Sequence, residues 1–163
     1  MHFGYINELR KTEWEKLVSQ NPASGFMQSF FWTRFTNLLA WPTYKIGVFD
    51  NKSLFGGAII IKFATDNGNN YLYIPEGPVL PYATPGADKI FDGLIAEIDK
   101  VADLTGNSLT SHVRIDPKLT QLPAFFKRFQ KAPTNPEPLR TLLIDLSLSK
   151  DELLAKMKPI HCQ

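Results

Sequence analysis

Tyr44-Lys45-Ile46-Gly47-Val48-Phe49-Asp50-Asn51-Lys52-Ser53-Leu54-Phe55-Gly56-Gly57-Ala58-Ile59-Ile60-Ile61-Lys62-Phe63-Ala64 is the stretch that decides the fold. Tyr44, Ile46 and Val48 alternate with Lys45 and Gly47, the period of two that a strand with one apolar face requires. Asp50-Asn51-Lys52-Ser53 is a turn, and Leu54 to Ala64 is a long apolar run. Asp66-Asn67-Gly68-Asn69-Asn70 is a second turn, with a third strand from Tyr71 to Pro75. Strands joined by short polar turns make an antiparallel meander. Gly56-Gly57 inside the second strand predicts a bulge, or the close approach of another backbone.

Working outward, Thr12 with Glu15 has capping-box spacing and predicts a short helix ending near Asn21-Pro22. Ser29 can cap a helix to about Ala40, on which Phe31, Phe35, Leu38 and Leu39 recur as an apolar stripe with Trp32 on the same broad face. Pro85 stands near the first turn of the strongest helix, where Ile90, Phe91, Leu94, Ile95, Ile98, Val101 and Ala102 hold helical period and Gly106 marks a stop. Leu109 to Ile115 is strand-like. A short helix (Ala124 to Gln130) and a strand (Thr141 to Leu146) follow, with the loop Pro133 to Pro138 between them. Ser149 with Glu152 opens a last helix whose stripe is Leu153, Leu154 and Met157. A helix between two strands permits a parallel crossover, so the sheet should be mixed. The class is α+β, one layered sheet with helices on its faces.

The length, 163 residues, is that of one domain, and 44% hydrophobic against 21% charged residues fits a packed core. Eighteen basic and sixteen acidic residues give a net charge of +2, which excludes nucleic-acid binding by bulk charge. The lone Cys162 cannot form an internal disulfide and fits a reducing cytoplasm. No apolar run is long enough to span a membrane, and the first residues do not read as a signal peptide. The apolar helix faces read as core stripes, which argues against a membrane-surface helix. No phosphate-loop, dinucleotide or nucleophile-elbow motif is present. His2, His112 and His161 are too scattered for a metal set, and His161-Cys162 reads as a tail.

Three stretches are less generic. They are Gly25-Phe26-Met27-Gln28-Ser29-Phe30-Phe31-Trp32, with Trp41 and the strand from Tyr44; Tyr71-Leu72-Tyr73-Ile74-Pro75-Glu76-Gly77-Pro78-Val79-Leu80; and Val113-Arg114-Ile115-Asp116-Pro117, followed by Leu139 to Ser147 and Glu152 to Lys158. In this order and spacing they resemble the N-terminal half of the Fem family, the non-ribosomal peptidyltransferases that build peptidoglycan interpeptide bridges. The resemblance implies a single domain over 1–163 with a fold related to the GNAT acyltransferases. It corresponds to the first of the family's two subdomains, with the second absent. It also implies aminoacyl-tRNA as donor, an acceptor that is UDP-MurNAc-pentapeptide or a lipid-linked precursor, and a cytoplasmic place reaching the inner membrane face. No cofactor is implied. The departure is that the segment like Met157-Lys158-Pro159 runs into Ile160-His161-Cys162-Gln163 instead of a second subdomain, so donor binding should need the missing half. An apolar face left open there would favour self-association.

No catalytic residue is assigned. The resemblance places Asp116 where it meets the acceptor's amine by charge and hydrogen bonding; an Asp before Pro117 also caps a turn, and the two roles are compatible. Arg34 and Lys45 are the basic candidates for the acceptor's diphosphate, although the family's basic helix position aligns with Thr36. Arg34 reads equally as a solvated helix charge. The Arg114 guanidinium suits a carboxylate or phosphate, or a strand-face salt bridge. Tyr73, Glu76 and Gly77 lie where a strand enters a loop, either lining a cleft or fixing the helix near Pro85. Phe31, Trp32 and Phe35 read as core, and Arg140 as a surface charge or a phosphate contact. The first reading is thus an aminoacyltransferase subdomain. The second is an inert GNAT-like binding or structural module. An acyl-CoA-dependent acetyltransferase comes third, because the expected glycine-rich pyrophosphate loop is missing.

Overall fold

The alternating stretch folds as its pattern requires: β2 (Thr43–Asp50), β3 (Ser53–Ala64) and β4 (Asn70–Pro75) form an antiparallel meander. The structure, a computed structural model, describes residues 1–103, 109–134, 138 and 144–157. They fall into two compact units, residues 1–130 and 131–163.

In the first unit β4 is followed by α3 (Ala87–Asp103) and by β5 (Thr110–Asp116), which lies parallel to β4. A four-residue strand, β1 (His2–Tyr5), pairs antiparallel with β2, so the sheet order is β1-β2-β3-β4-β5. Four residues are too few to show a period, and β1 was not legible in the sequence. The mixed sheet expected of an α+β chain is thus present, with a single parallel pair among the described residues, at the crossover.

Each face of the sheet has its own core. On one face α3 buries Ile90, Phe91, Leu94, Ile98 and Val101 against Ile46, Val48, Ile60, Leu72 and Ile74, as its helical period predicts. Each such side chain contributes about 2 kcal/mol of transfer free energy. On the other face Trp14 and Val18 of α1 (Lys11–Gln20) and Phe30 of α2 (Phe30–Leu38) pack on Phe49, Leu54 and Ile59.

Three local expectations change. The Thr12–Glu15 box does not form: α1 starts at Lys11, and Glu15 instead accepts a hydrogen bond from the Phe30 N–H at 2.7 Å. The segment Ala124–Arg128 is a 3-10 turn. The third change concerns α2, which Ser29 caps as expected. Its buried residues are Phe30, Thr33 and Thr36, whereas Phe31, Phe35, Leu38 and Leu39 are exposed. The threonines tolerate burial because their hydroxyls return to helix carbonyls, Thr33 to Phe30 at 2.8 Å and Thr36 to Thr33 at 3.0 Å.

Gly56-Gly57 resolves as a close approach. Gly57 exchanges two 2.9 Å backbone bonds with Val79, beyond the end of β4, and its φ of 150° suits glycine alone. The bulge lies next door, where the register steps between Val48 and Phe49.

Between the end of the β3–β4 ladder at Ile61↔Tyr73 and the Gly57–Val79 bridge, Ile59 faces Pro75, which has no N–H to give. The fully buried Gln28 amide fills this gap. Its Oε1 accepts from the Ile59 N–H at 2.8 Å, and its Nε2 donates to the carbonyls of Ile59 at 3.2 Å and Pro75 at 2.6 Å. The Gln28 carbonyl in turn accepts from the Trp14 indole at 2.6 Å.

In the second unit, α4 (Lys150–Lys156) has the complete Ser149–Glu152 capping box, with Leu153 half-buried and Leu154 and Met157 exposed. Half of the strand expected at Thr141–Leu146, residues 141–143, lies outside the described residues, and 144–146 carry no strand. Arg140, Gly106, His161 and Cys162 also lie outside them.

Replacing Gln28 by Leu leaves the Ile59 N–H and two carbonyls buried without partners. Urea unfolding of Gln28→Leu should therefore show a loss of about 3 kcal/mol; a loss below about 1 kcal/mol would count against the amide's bridging role.

Candidate functional site

The parallel pairing of β4 and β5 sets Tyr73 beside Arg114 and Pro75 beside Asp116. Because side chains alternate along a strand, Tyr73, Arg114 and Asp116 share the sheet face that also carries Lys45, Ile59 and Ile61. The Tyr73 hydroxyl donates to Asp116 Oδ2 at 3.3 Å. Tyr73 is buried and Asp116 half-buried, so the carboxylate is held while its outer side can still accept from a ligand. Along the same face run Trp41, Phe63, Tyr71 and His112, with Trp41 edge-on to Phe63 at 4.8 Å and Tyr71 stacked on His112 at 5.2 Å. The result is a partly open strip of aromatic rings leading to a carboxylate, a surface suited to a polar ligand with flat or apolar faces and a cationic or amine end.

The wall beside Asp116 is the loop after β4. Gly77 donates its N–H to the Asp116 carbonyl at 3.2 Å, and the Gly77–Pro78 bond is cis. A Cβ on Gly77 would stand 2.7 Å from Gln28 Cδ, so its lack of a side chain makes room for the bridging amide; Gly77 is itself buried. Glu76, a non-glycine residue at φ 45°, is in a strained left-handed conformation. Its carboxylate holds it there by accepting from the Met27 N–H at 2.9 Å, and Lys118 stands 4.0 Å from its other oxygen. A Cβ on Gly25 would overlap that carboxylate. A shallow groove of about 460 Å³ runs past this corner, lined in part by Glu15, Ser24, Gly25, Phe26 and Lys118.

The structure therefore gathers Tyr73, Gly77, Arg114 and Asp116 at one end of β4 and β5, leaves Arg34 and Thr36 on α2, and sets Lys45 on β2. Arg34 is exposed on that helix. Thr36 is fully buried, its hydroxyl bonded to Thr33 and, at 2.8 Å, to Thr43, and it presents nothing to a ligand. Lys45 sits with its ammonium 5.1 Å from the centre of the Phe30 ring. Phe31 and Phe35 do not belong to the core, and Phe26, Phe31, Trp32 and Phe35 form an outward aromatic cluster. Gln28, Gly25 and Lys118 were missed as site-shaping residues. The one sequence signal was an amide alone within an aromatic run, and its partners lie more than thirty residues away.

From Glu76 to Ala87 much of the backbone is already bonded within the protein. Residues 78, 81 and 85 are prolines, and the N–H groups of Gly77, Val79, Tyr82, Thr84 and Ala87 are spent on protein carbonyls. Tyr82 closes the loop by donating to the Pro78 carbonyl at 2.8 Å, and burial pushes its phenol pKa up. Among the described residues no group of three or more His, Cys, Asp or Glu could hold a metal ion, and no helix is long and apolar enough to cross a membrane.

Comparison with known proteins places this geometry. The model of a family described as FemAB matches residues 9–122. The chain is similar in structure to FemX at a TM-score of 0.59 and 19% identity, covering 72% of this chain and 27% of that one. It is also similar to a ribosomal-protein-alanine N-acetyltransferase from Brucella melitensis biovar Abortus 2308, with a TM-score of 0.60, 12% identity, and 86% and 100% of the two chains covered. A third likeness is to aminoglycoside N-acetyltransferase AAC(6')-Iy in complex with CoA, with a TM-score of 0.54, 12% identity and coverage of 87% and 100%. The fold is thus that of the GNAT acetyltransferases, and the chain spans 27% of the length of FemX. No curated protein matches the sequence.

Gly25 and Glu76 should be energetically coupled. Gly25→Ala and Glu76→Ala should each cost about 1 to 2 kcal/mol in urea unfolding, with the double variant costing little more than either. Full additivity would show that the carboxylate does not fix the turn.

Proposed function

The chain belongs to the FemAB family, and on that premise we propose that it is the acceptor-binding part of an aminoacyltransferase acting on a peptidoglycan precursor. The acceptor is UDP-MurNAc-pentapeptide or its lipid-linked form, and the donor is aminoacyl-tRNA. The observation that carries the reading is the Tyr73–Asp116 pair at the end of the aromatic strip. In the reaction the stem-peptide amine attacks the aminoacyl ester carbonyl, a C–N bond forms, the ester C–O bond breaks, and the amine's proton leaves with the departing ribose hydroxyl. Asp116, oriented by Tyr73, holds the amine by hydrogen bonding so that its lone pair is aligned. Arg114, half-buried on the same face, completes the acceptor surface, and Gly77, buried at the turn, positions the wall beside Asp116; Arg34 is exposed for longer-range attraction to the diphosphate. Donor binding is assigned to the part of the transferase that corresponds to the rest of FemX.

An acyl-CoA reading is less well supported, because anion cradles are built from free backbone N–H groups. The loop after β4 has three prolines, and the N–H groups of Gly77, Val79, Tyr82 and Thr84 are already bonded to protein carbonyls.

Calorimetric titration of the chain with UDP-MurNAc-pentapeptide tests the proposal. Saturable binding is expected, weakened about tenfold by Asp116→Asn and about fivefold by Tyr73→Phe. Absence of binding at millimolar ligand, or binding indifferent to both changes, would remove the acceptor site from this face.

A further inference from the structure

We propose that the exposed end of the aromatic strip holds the base and ribose of a nucleoside diphosphate, so that the acceptor is the nucleotide-linked precursor and not the lipid-linked one. The inference deepens the acceptor reading and rests on it for the identity of the nucleotide. The strip is a stack. Phe63 lies on Tyr71 with ring centres 5.4 Å and planes 25° apart, and Tyr71 lies on His112 at 5.2 Å and 3°. Trp41 stands edge-on to Phe63. The far end is open: His112 is exposed, and with Tyr71 against one side of its ring, the exposure falls on the opposite side and the edge. A flat heteroaromatic ring added there extends the stack by one member, a contact open to any base because each has a π-face.

The polar atoms at that end are also set. The Ser111 hydroxyl has one proton, and it is given to the Asn70 carbonyl at 3.0 Å. In its 2.9 Å contact with His112 Nδ1 the hydroxyl oxygen therefore accepts, so the imidazole in its neutral form carries its proton on Nδ1 and leaves Nε2 as an acceptor. A ribose attached to a stacked base hangs at the edge of the ring beneath, where one of its hydroxyls can donate to Nε2. A cross-strand ring pair that only stabilises the sheet needs neither the exposure nor the fixed tautomer. Along β5, His112 precedes Asp116 by about 13 Å, with Arg114 between them on the same face. The order ring, guanidinium, carboxylate meets a ligand whose base is followed by phosphates and, further on, by an amine. Of the two acceptors, only the nucleotide-linked one has a flat ring to place on the stack; the lipid-linked one would leave it bare.

The test is saturation-transfer NMR and calorimetry on the full chain with uridine diphosphate, against inorganic pyrophosphate, which has no base. Saturation should be strongest on the uracil ring protons, and uridine diphosphate should bind at least about fivefold more tightly than pyrophosphate. His112→Ala should weaken it about fivefold or more, and His112→Phe, which keeps a ring and loses Nε2, should weaken it less. His112 is exposed, so circular dichroism should report an unchanged fold in both variants. Neither should alter binding of MurNAc-pentapeptide without its nucleotide, which Asp116→Asn should weaken. No saturation of the base protons at millimolar ligand, equal binding of pyrophosphate, or indifference to His112→Ala would each overturn the proposal. If Asp116→Asn weakens UDP-MurNAc-pentapeptide and His112→Ala does not, the acceptor reading stands and the nucleotide site falls. The reverse pattern would keep the nucleotide site and remove the amine-holding role of Asp116.

Discussion

A single glutamine amide bonded between two strands is the constraint on which this architecture depends. Where β4 runs out at Pro75, the sheet loses the donor that would have met β3, and an unpaired Ile59 would leave both its polar groups buried and bare. Gln28 supplies an acceptor and a donor in the geometry of a peptide group, so its side chain completes the ladder. Because the same residue sits in the turn between α1 and α2, those three bonds also fix the entry to α2. The Trp14 indole bonded to the Gln28 carbonyl ties the turn to α1.

Consequences spread from there to the site. The amide occupies the space a side chain on residue 77 would fill, which lets the Gly77 turn fold in against Gln28 and bond to Asp116. The neighbouring Glu76 reaches back to the Met27 N–H in the Gln28 turn, so loop and turn hold each other from both sides. Asp116 is therefore presented by a strand end whose neighbours are fixed, as the amine-orienting role proposed for it requires. The reverse arrangement on α2, with threonines inward and aromatics outward, follows from the same entry. Phe30 is anchored under Lys45 and against Trp14 and Ile59, and helical geometry then turns Phe31 and Phe35 to the outside.

Local reading of the chain succeeded where the signal was repetitive. The meander, the seven-position stripe of α3, the caps at Ser29 and Ser149 and the mixed sheet were all legible, since each rests on a period or a spacing within a few residues. Family motifs brought Tyr73, Gly77, Arg114 and Asp116 into one list, and their spatial gathering required the crossover that sets β5 beside β4. The same reading misplaced the aromatic face of α2, because hydrophobicity alone predicts burial and takes no account of how well buried threonines can satisfy themselves.

What the sequence by itself determined is the menu of elements and their polarity: turn residues, alternation and helical repeat are properties of neighbouring side chains and act before the chain meets itself. Only the tertiary structure decided which face of α2 is buried, which amide closes the gap opened by Pro75, and which carboxylate receives the Tyr73 hydroxyl. The Gln28 amide finds its partners 31 and 47 residues away, and Tyr73 and Asp116 are 43 residues apart. The physical reason is that a buried polar group must find a partner wherever the packed chain supplies one, and no local pattern records where that will be.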